Sequence, residues 1–568
     1  MRAITRRDFL RGSAATTAMA MAGGFGMLPA TVSAEEGDFT ITAIIASEPE
    51  TLDPNMESSV DGATYSMHMF ENLMKYVLTD ESATDTTDAV KLLEVTNGQA
   101  ESYTVSDDGL TYTFTLRSDI YWSDGVAVTA SDFVYSWQRI VDPSNAADYG
   151  YILDGVVLNA SSIQAGEAEP ETLGIEAVDD TTLVITLEAE CPYFLGLCAF
   201  AALMPIRQDV IEEYGTEWTD PGNMVSNGAY VLSAWEHDSQ IEMVPNEYYY
   251  DKDSVGPTKL VWKLQDSESA ILASYQADEI DFTTSVSTEQ LESLVESGDC
   301  HLPDEIGTYY LYLNCDNIPD WRVRAAISLV IDRDNIVENV TQGGQTPATG
   351  LVAAGTTTSD GTEWTEYVGD AMFASLSELY PDYDLTTYSG RCELAVALVE
   401  EAVADGYDTS ATIDYEYNTS EAHQAIAEAV QSDVAGVLGI NITLNNSEWQ
   451  TYTNNLGEGN FGMARLGWIA DYDDASTYLE LFTNGNSYNY SNWVNDEYTD
   501  LVTEFKALSG GTERDELMRE AEYMLFGEEG FAVCPIYFYT DPYLLHDGIE
   551  NIGYTPLGYF IFIYATQA

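Results

Sequence analysis

The segment Arg465-Leu466-Gly467-Trp468-Ile469-Ala470-Asp471-Tyr472 is where this chain carries its sharpest chemistry. Phe461 to Ile469 reads as a mostly apolar strand that ends in a polar cluster. An Asp directly after a buried strand is placed at a loop on a cleft edge. It can equally cap a helix or pair with a structural cation, and spacing alone does not separate these roles. Turnover has less support. There is no phosphate loop, no H-E-x-x-H and no G-x-S-x-G, and no nucleophile stands beside a base at recognisable spacing. Gly457-Glu458-Gly459-Asn460-Phe461-Gly462 satisfies G-x-G-x-x-G. A dinucleotide loop needs a strand before it and a helix after it, whereas here a strand follows.

Strands and helices alternate along the whole chain, which predicts mixed sheets covered by helices, an α/β architecture. The block from Thr111 to Pro143 is the clearest case. Tyr112, Phe114 and Leu116 alternate with polar residues as in a half-buried strand, and Ser123-Asp124-Gly125 supplies a turn. Thr129-x-x-Asp132 reads as a capping box, and Phe133, Val134, Trp137, Ile140 and Val141 follow at helical spacing until Pro143. Further strands are predicted over 39–45, 181–187, from 229 and over 440–444, and helices from 320, over 393–404 and over 423–438.

The 111–143 string closely resembles the signature region of extracellular solute-binding protein family 5, the receptors of oligopeptide and dipeptide ABC importers. Ser136-Trp137-Gln138-Arg139 followed by Asp142-Pro143 is most similar to the oligopeptide branch. Leu52-Asp53-Pro54, Pro221 to Tyr230 and the Arg322-Val323-Arg324 helix leading to Asp332-Arg333 resemble other family strings. The resemblance spans about residues 39 to 565. It implies a two-lobed periplasmic-binding-protein-like fold with an extra third domain and a ligand cleft between the lobes. Lobe I would comprise 35–70, 208–306 and 539–568, the extra domain 71–207 and lobe II 307–538. It also implies that Asp471 holds a peptide's N-terminal ammonium, that Gly467 and Ile469 pair with the peptide main chain, and that Trp468 forms a cleft wall. Arg465 and His423 match partners of the peptide's far end, while Tyr149 and Trp449 match aromatic or pocket-lining positions. The chain departs from a well-known branch of the family at Thr341 and Leu456, which replace a lysine and an arginine, and at Gly307 and Ile469, which replace a cysteine pair.

Composition bounds the partners. The chain of 568 residues exceeds what one core supports, and its net charge of −76 disfavours nucleic acid and anionic lipid. Thr5-Arg6-Arg7-Asp8-Phe9-Leu10-Arg11, a weakly apolar segment and Val32-Ser33-Ala34 read as a twin-arginine signal peptide, 1–34, so export to the periplasm or cell surface is expected. Removing it leaves ten Arg and six Lys, so each cation needs an account. The six Cys show no C-x-x-C spacing, no zinc site or cofactor is expected, and buried free thiols compete with disulfides. The expected function is a monomeric, non-enzymatic receptor that hands oligopeptides to an ABC permease. The same fold with a modified peptide, glycan, metal chelate or haem, and a secreted hydrolase, stand as alternatives.

Overall fold

A computed structural model describes residues 39–46 and 48–568. The expected signal peptide lies outside the described residues. Two large sheets dominate. The first has seven strands in the order Cys300–His301, Tyr543–Leu545, Phe282–Thr283, Thr40–Ile44, Lys259–Lys263, Gln240–Pro245, Tyr230–Glu236. Thr40–Ile44 runs parallel to both neighbours, so helices must cover the crossovers. The second has six strands in the order Thr346–Pro347, Val533–Thr540, Asp304–Leu313, Met463–Ile469, Ile413–Asn418, Ile442–Ser447. Its central strands are buried on both faces: in Asp304–Leu313 every residue from Thr308 onward is buried. Two four-stranded sheets accompany these. One pairs the Met74–Thr84/Thr87–Asn97 hairpin with Ile552–Thr555 and Tyr559–Ile561; the other is built from Ala100–Val105, Thr111–Leu116, Thr182–Thr186 and Ile175–Asp179.

Local sequence and local structure agree closely around the 111–143 block. The strand Thr111–Leu116 and the helix Ala130–Val141 form where predicted, and the Thr129 N–H donates to Asp132 Oδ2 at 2.8 Å. Trp137 is fully buried and its indole N–H donates to the Leu203 carbonyl at 2.9 Å. Arg139 reaches Asp53 of the Leu-Asp-Pro turn with two bonds of 3.1 and 2.7 Å, and the Trp218 indole N–H donates to the same carboxylate. Two strings 86 residues apart thus interlock through one buried ion pair. The helix expected over 393–404 is longer, Tyr388–Ala404, because the Thr387 hydroxyl accepts from Gly390 N–H and starts it earlier. All six cysteines are free thiols.

The two large sheets are joined twice in quick succession. Cys300–His301 leads through Leu302-Pro303 into Asp304–Leu313, and Val533–Thr540 returns through Asp541-Pro542 to Tyr543–Leu545. Asp541 N–H donates to the Pro303 carbonyl at 3.1 Å and ties the two connections together. Two short crossings between the two large sheets thus lie side by side, where a two-lobed fold would have its hinge. Three carboxyls gather there. Burial pushes Glu305 well up, with the charges of Asp541 and Asp61 adding to it. Burial and then Asp61 raise Asp541 to about 8; burial and then Glu57 raise Asp61 to about 7.

Two expectations follow. Arg139→Met leaves Asp53 buried without its cation and should cost about 3–5 kcal/mol in chemical denaturation. The hinge carboxyls hold protons in the folded chain that the unfolded chain releases above about pH 4. Their contribution to stability is therefore fullest at low pH and is lost as pH rises through 7 to 8. Thermal unfolding should show a falling midpoint from pH 5 to 8, and Glu305→Gln should flatten that slope.

Candidate functional site

The strand Met463–Ile469 sits between Asp304–Leu313 and Ile413–Asn418, but the second partner leaves early. Ile413–Asn418 registers only with Met463 and Ala464. Beyond that point one edge of the strand has no neighbouring strand among the described residues. The register says what that edge offers. Asn314 N–H donates to the Gly462 carbonyl, and Ala470 N–H to the Ile306 carbonyl. Even-numbered residues therefore turn their backbone toward Asp304–Leu313, and antiparallel alternation turns Arg465, Gly467 and Ile469 toward the open edge. The Tyr452 hydroxyl takes the Arg465 carbonyl. Gly467 and Ile469 are left facing a cavity of about 420 Å³, within the range of small-ligand sites.

Seven of the eight residues singled out from sequence line this cavity: Tyr149, His423, Trp449, Arg465, Gly467, Trp468 and Ile469. Asp471 lines a second, water-sized cavity of about 20 Å³ that shares Ser59, Val60, Tyr149 and Ile469 with the first. The gathering draws on both large sheets: Ile45, Gln265 and Ser285 stand opposite the Met463–Ile469 strand and the helices Glu421–Leu438 and Trp449–Gly457. Hydrogen bonds span the gap, from the Ser420 hydroxyl to Glu268 at 3.1 Å and from the Thr453 hydroxyl to Glu50 at 2.9 Å.

Asp471 is 5 % exposed. Its oxygens accept from the Tyr149 hydroxyl at 2.8 Å and the Thr477 hydroxyl at 3.3 Å, both neutral donors. Two nearby buried acids are treated differently: Asp474 pairs with Arg514 at 2.7 Å and Glu480 with Lys506 at 2.5 Å. Burial pushes the Asp471 carboxyl far above its ordinary range; the Tyr149 hydrogen bond pulls it back, the charge of Glu480 raises it further and Thr477 opposes that rise. A desolvated carboxylate without a cation costs several kcal/mol in its charged form, roughly what a bound cation recovers. Thr477 also accepts from the Trp468 indole N–H at 3.0 Å, so one hydroxyl fixes both the acid and the ring beside it.

Arg465 is the mirror case. Its guanidinium lies 5.4 Å over the Tyr309 ring, and one arm meets His423 Nε2. No described ion pair engages it, and its Nε has no hydrogen-bond partner. The other buried arginines without carboxylates, Arg324 and Arg333, are instead bonded to backbone carbonyls. Burial, then the neighbouring Arg465 charge, keep His423 neutral, with its Nε2 lone pair toward the guanidinium and Nδ1 at 3.5 Å from the Tyr309 hydroxyl. The expected carboxylate partner His423 thus orients Arg465. Leu456, read from sequence as replacing a family arginine, lines the cavity, whereas Thr341 is buried against Gln345 and does not line it. Gly307 and Ile469 stand directly opposite each other on paired strands.

Sequence reasoning missed Glu57, Tyr488, Tyr490 and Tyr539, which also line these cavities. Tyr539 carries no local signal, being one of 38 tyrosines. Its ring lies over Gly307 and Gly467, where a Cβ would overlap it.

With that geometry in view, comparison with known proteins is decisive. Residues 94–490 match the family model for bacterial extracellular solute-binding proteins, family 5. The chain belongs to this family. It is 32 % identical over 526 residues to the oligopeptide-binding protein OppA of Bacillus subtilis, covering 91 % of this chain and 90 % of that protein. Haemophilus influenzae OppA in complex with the peptide RPPGFSPFR superposes with a TM-score of 0.81 at 28 % identity, covering 94 % of this chain and 99 % of that one. The Escherichia coli murein tripeptide binding protein MppA superposes at 0.81 with 30 % identity, over 93 % and 98 % of the two chains. Its unliganded open form reaches only 0.60 at the same identity, over 93 % and 97 %. Together with the hydrogen bonds across the gap, that difference places this structure in a closed arrangement.

Gly467→Ala should force Tyr539 off its seat and into the cavity. The expected result is a fold destabilised by about 1–3 kcal/mol in chemical denaturation, the usual cost of overpacking, with weaker ligand binding by calorimetry and far-UV circular dichroism unchanged.

Proposed function

We propose that this protein is an extracytoplasmic receptor that captures oligopeptides and delivers them to an ABC transporter permease. The carrying observation is a buried carboxyl without a cation just past one strand, a half-buried arginine without a carboxylate on it, and an open backbone edge between them. Asp471 receives the peptide's N-terminal ammonium, oriented by Tyr149 and Thr477. Charge-assisted bonds of this kind are short and strong. Gly467 and Ile469 extend the sheet onto the peptide main chain, which gives affinity without reading side chains. Arg465, steadied by His423, takes the far carboxylate. Trp468 and Trp449 wall the side-chain space, and water fills what a given sequence leaves empty.

The division of labour follows the sheets. We assign lobe I to 35–70, 208–306 and 539–568, the extra domain to 71–207 and lobe II to 307–538; the membership of the two large sheets supports the two lobes, whereas the pairing of Thr87–Asn97 with Ile552–Thr555 ties the start of the extra domain to lobe I. The lobes swing about the paired crossings near Pro303 and Asp541, and the closed form docks on the permease as a monomer. The twin-arginine segment directs export. No helix among the described residues is long and apolar enough to cross a membrane.

Calorimetry with free-amine and N-acetylated versions of one peptide tests the assignment. Acetylation, or Asp471→Asn with the free peptide, should each weaken binding by about 2–5 kcal/mol. Equal affinity for the two peptides rules out the role of Asp471. Native mass spectrometry of the purified protein should show a peptide mass on the folded chain; a glycan, chelate or haem mass in its place rules out the peptide reading.

A further inference from the structure

Asp471 draws the shorter of its two side-chain hydrogen bonds from outside its own lobe. Tyr149 belongs to the segment assigned to the extra domain, so the geometry of the acid depends on how that segment docks on the loop 471–477. The residue next to Asp471 carries the docking contact. The Tyr193 ring, from the same segment, lies flat on the Tyr472 ring, with centroids 3.9 Å apart and planes 3° from parallel. A Cβ on Gly196 would lie 3.9 Å from the Tyr472 Cβ, so the turn after Tyr193 packs on the same residue.

Lobe II holds the stack from its own side. The Arg514 guanidinium lies over the Tyr193 ring at 5.9 Å and pairs with Asp474 at 2.7 Å. A cation over one ring offsets the mutual repulsion of two parallel π faces. Asp474 accepts from the Ser476 N–H and hydroxyl at 3.0 and 2.6 Å, which fixes the turn after Asp471. The Tyr472 hydroxyl donates to Glu480 at 2.8 Å, and Glu480 pairs with Lys506. Tyr472 is thus tied to lobe II by its hydroxyl and to the extra domain by its ring face.

Elsewhere the same seam is poorly filled. A hollow of about 310 Å³ lies between Tyr151 and Asp154 on one side and Glu480, Thr503 and Lys506 on the other. The Tyr151 hydroxyl and Asp154 Oδ1 have no hydrogen-bond partner among the described residues. Besides Tyr149, a hydrogen bond crosses from the Ser487 hydroxyl to the Asp148 carbonyl at 2.8 Å. Tyr193 lines neither of the cavities around Asp471, so whatever it contributes there passes through Tyr472.

Resting on the peptide-receptor reading, we propose that Tyr193 is a positioning residue for the ammonium site. By seating Tyr472 it holds the neighbouring Asp471 carboxyl within reach of Tyr149 and of the peptide's N-terminus. The extra domain is then a working part of peptide recognition.

The test is calorimetry with one tripeptide in free-amine and N-acetylated forms, on wild type, Tyr193→Leu and Tyr193→Phe. Tyr193→Leu should weaken the free-amine peptide about three- to tenfold, the factor of one aromatic pair, and leave the acetylated peptide's affinity unchanged. The ratio between the two forms shrinks accordingly. Tyr193→Phe keeps the ring and should keep the wild-type ratio. Equal weakening of both forms by Tyr193→Leu overturns the inference, because a general loss of packing does that. An unchanged ratio also overturns it, as does a Tyr193→Phe protein that behaves like Tyr193→Leu. Should Tyr193→Leu not fold, Ser487→Ala, at an exposed position, removes another bond across the seam and should narrow the same ratio. An unaltered ratio there overturns the inference and leaves the receptor reading intact. If wild type binds both forms alike, the role of Asp471 falls and this inference falls with it.

Discussion

A carboxylate buried without a cation is the constraint around which the rest of this molecule makes sense. The chain has the means to neutralise buried acids and uses them a few residues away, on Asp474 and Glu480. At Asp471 it supplies only hydroxyls. The charged form is therefore costly unless a positive group offsets that cost. The strand that leads to Asp471 has a matching property at its other end. Arg465 is held in place by a ring and an imidazole, neither of which carries a countercharge. The departure of Ile413–Asn418 after two paired residues then exposes the intervening backbone. One strand thus supplies two charges and a hydrogen-bonding edge.

Two sheets must close on that strand for desolvation to have force. The crossings at Leu302-Pro303 and Asp541-Pro542 lie side by side, so a rotation there moves one sheet against the other with little internal rearrangement. Glu305, Asp541 and Asp61 interact beside the paired crossings, and Glu50 with Asp148 in the cleft. In a protein with 96 acidic and 20 basic residues such encounters are hard to avoid. Beside the paired crossings burial favours their protonated forms.

The scarcity of cations makes their placement informative. Arg139 joins the signature helix to the opening turn, Arg324 and Arg333 bind backbone carbonyls, and Arg514 and Lys506 steady the loop after Asp471. Each of these holds parts of the chain together. Arg465 has no carboxylate or backbone-carbonyl partner among the described residues, and it lines the cavity.

The sequence by itself determined the family, the alternation of strands and helices, the capped helix after Thr129 and, through string similarity, seven of the residues that line the cavity, because local pattern and string similarity are properties of neighbours along the chain. It also determined the overall acidity and the scarcity of countercharges. It did not determine that Arg139 reaches Asp53, that His423 spends its lone pair on Arg465, or that Tyr539 covers Gly467. Nor did it show which backbone groups of Met463–Ile469 face outward, since that depends on the register with Asp304–Leu313. The gathering of Glu305, Asp541 and Asp61 was likewise invisible. Those carboxyls lie hundreds of positions apart, and only the folding back of the chain through two adjacent crossings brings them into one desolvated place where their charges interact.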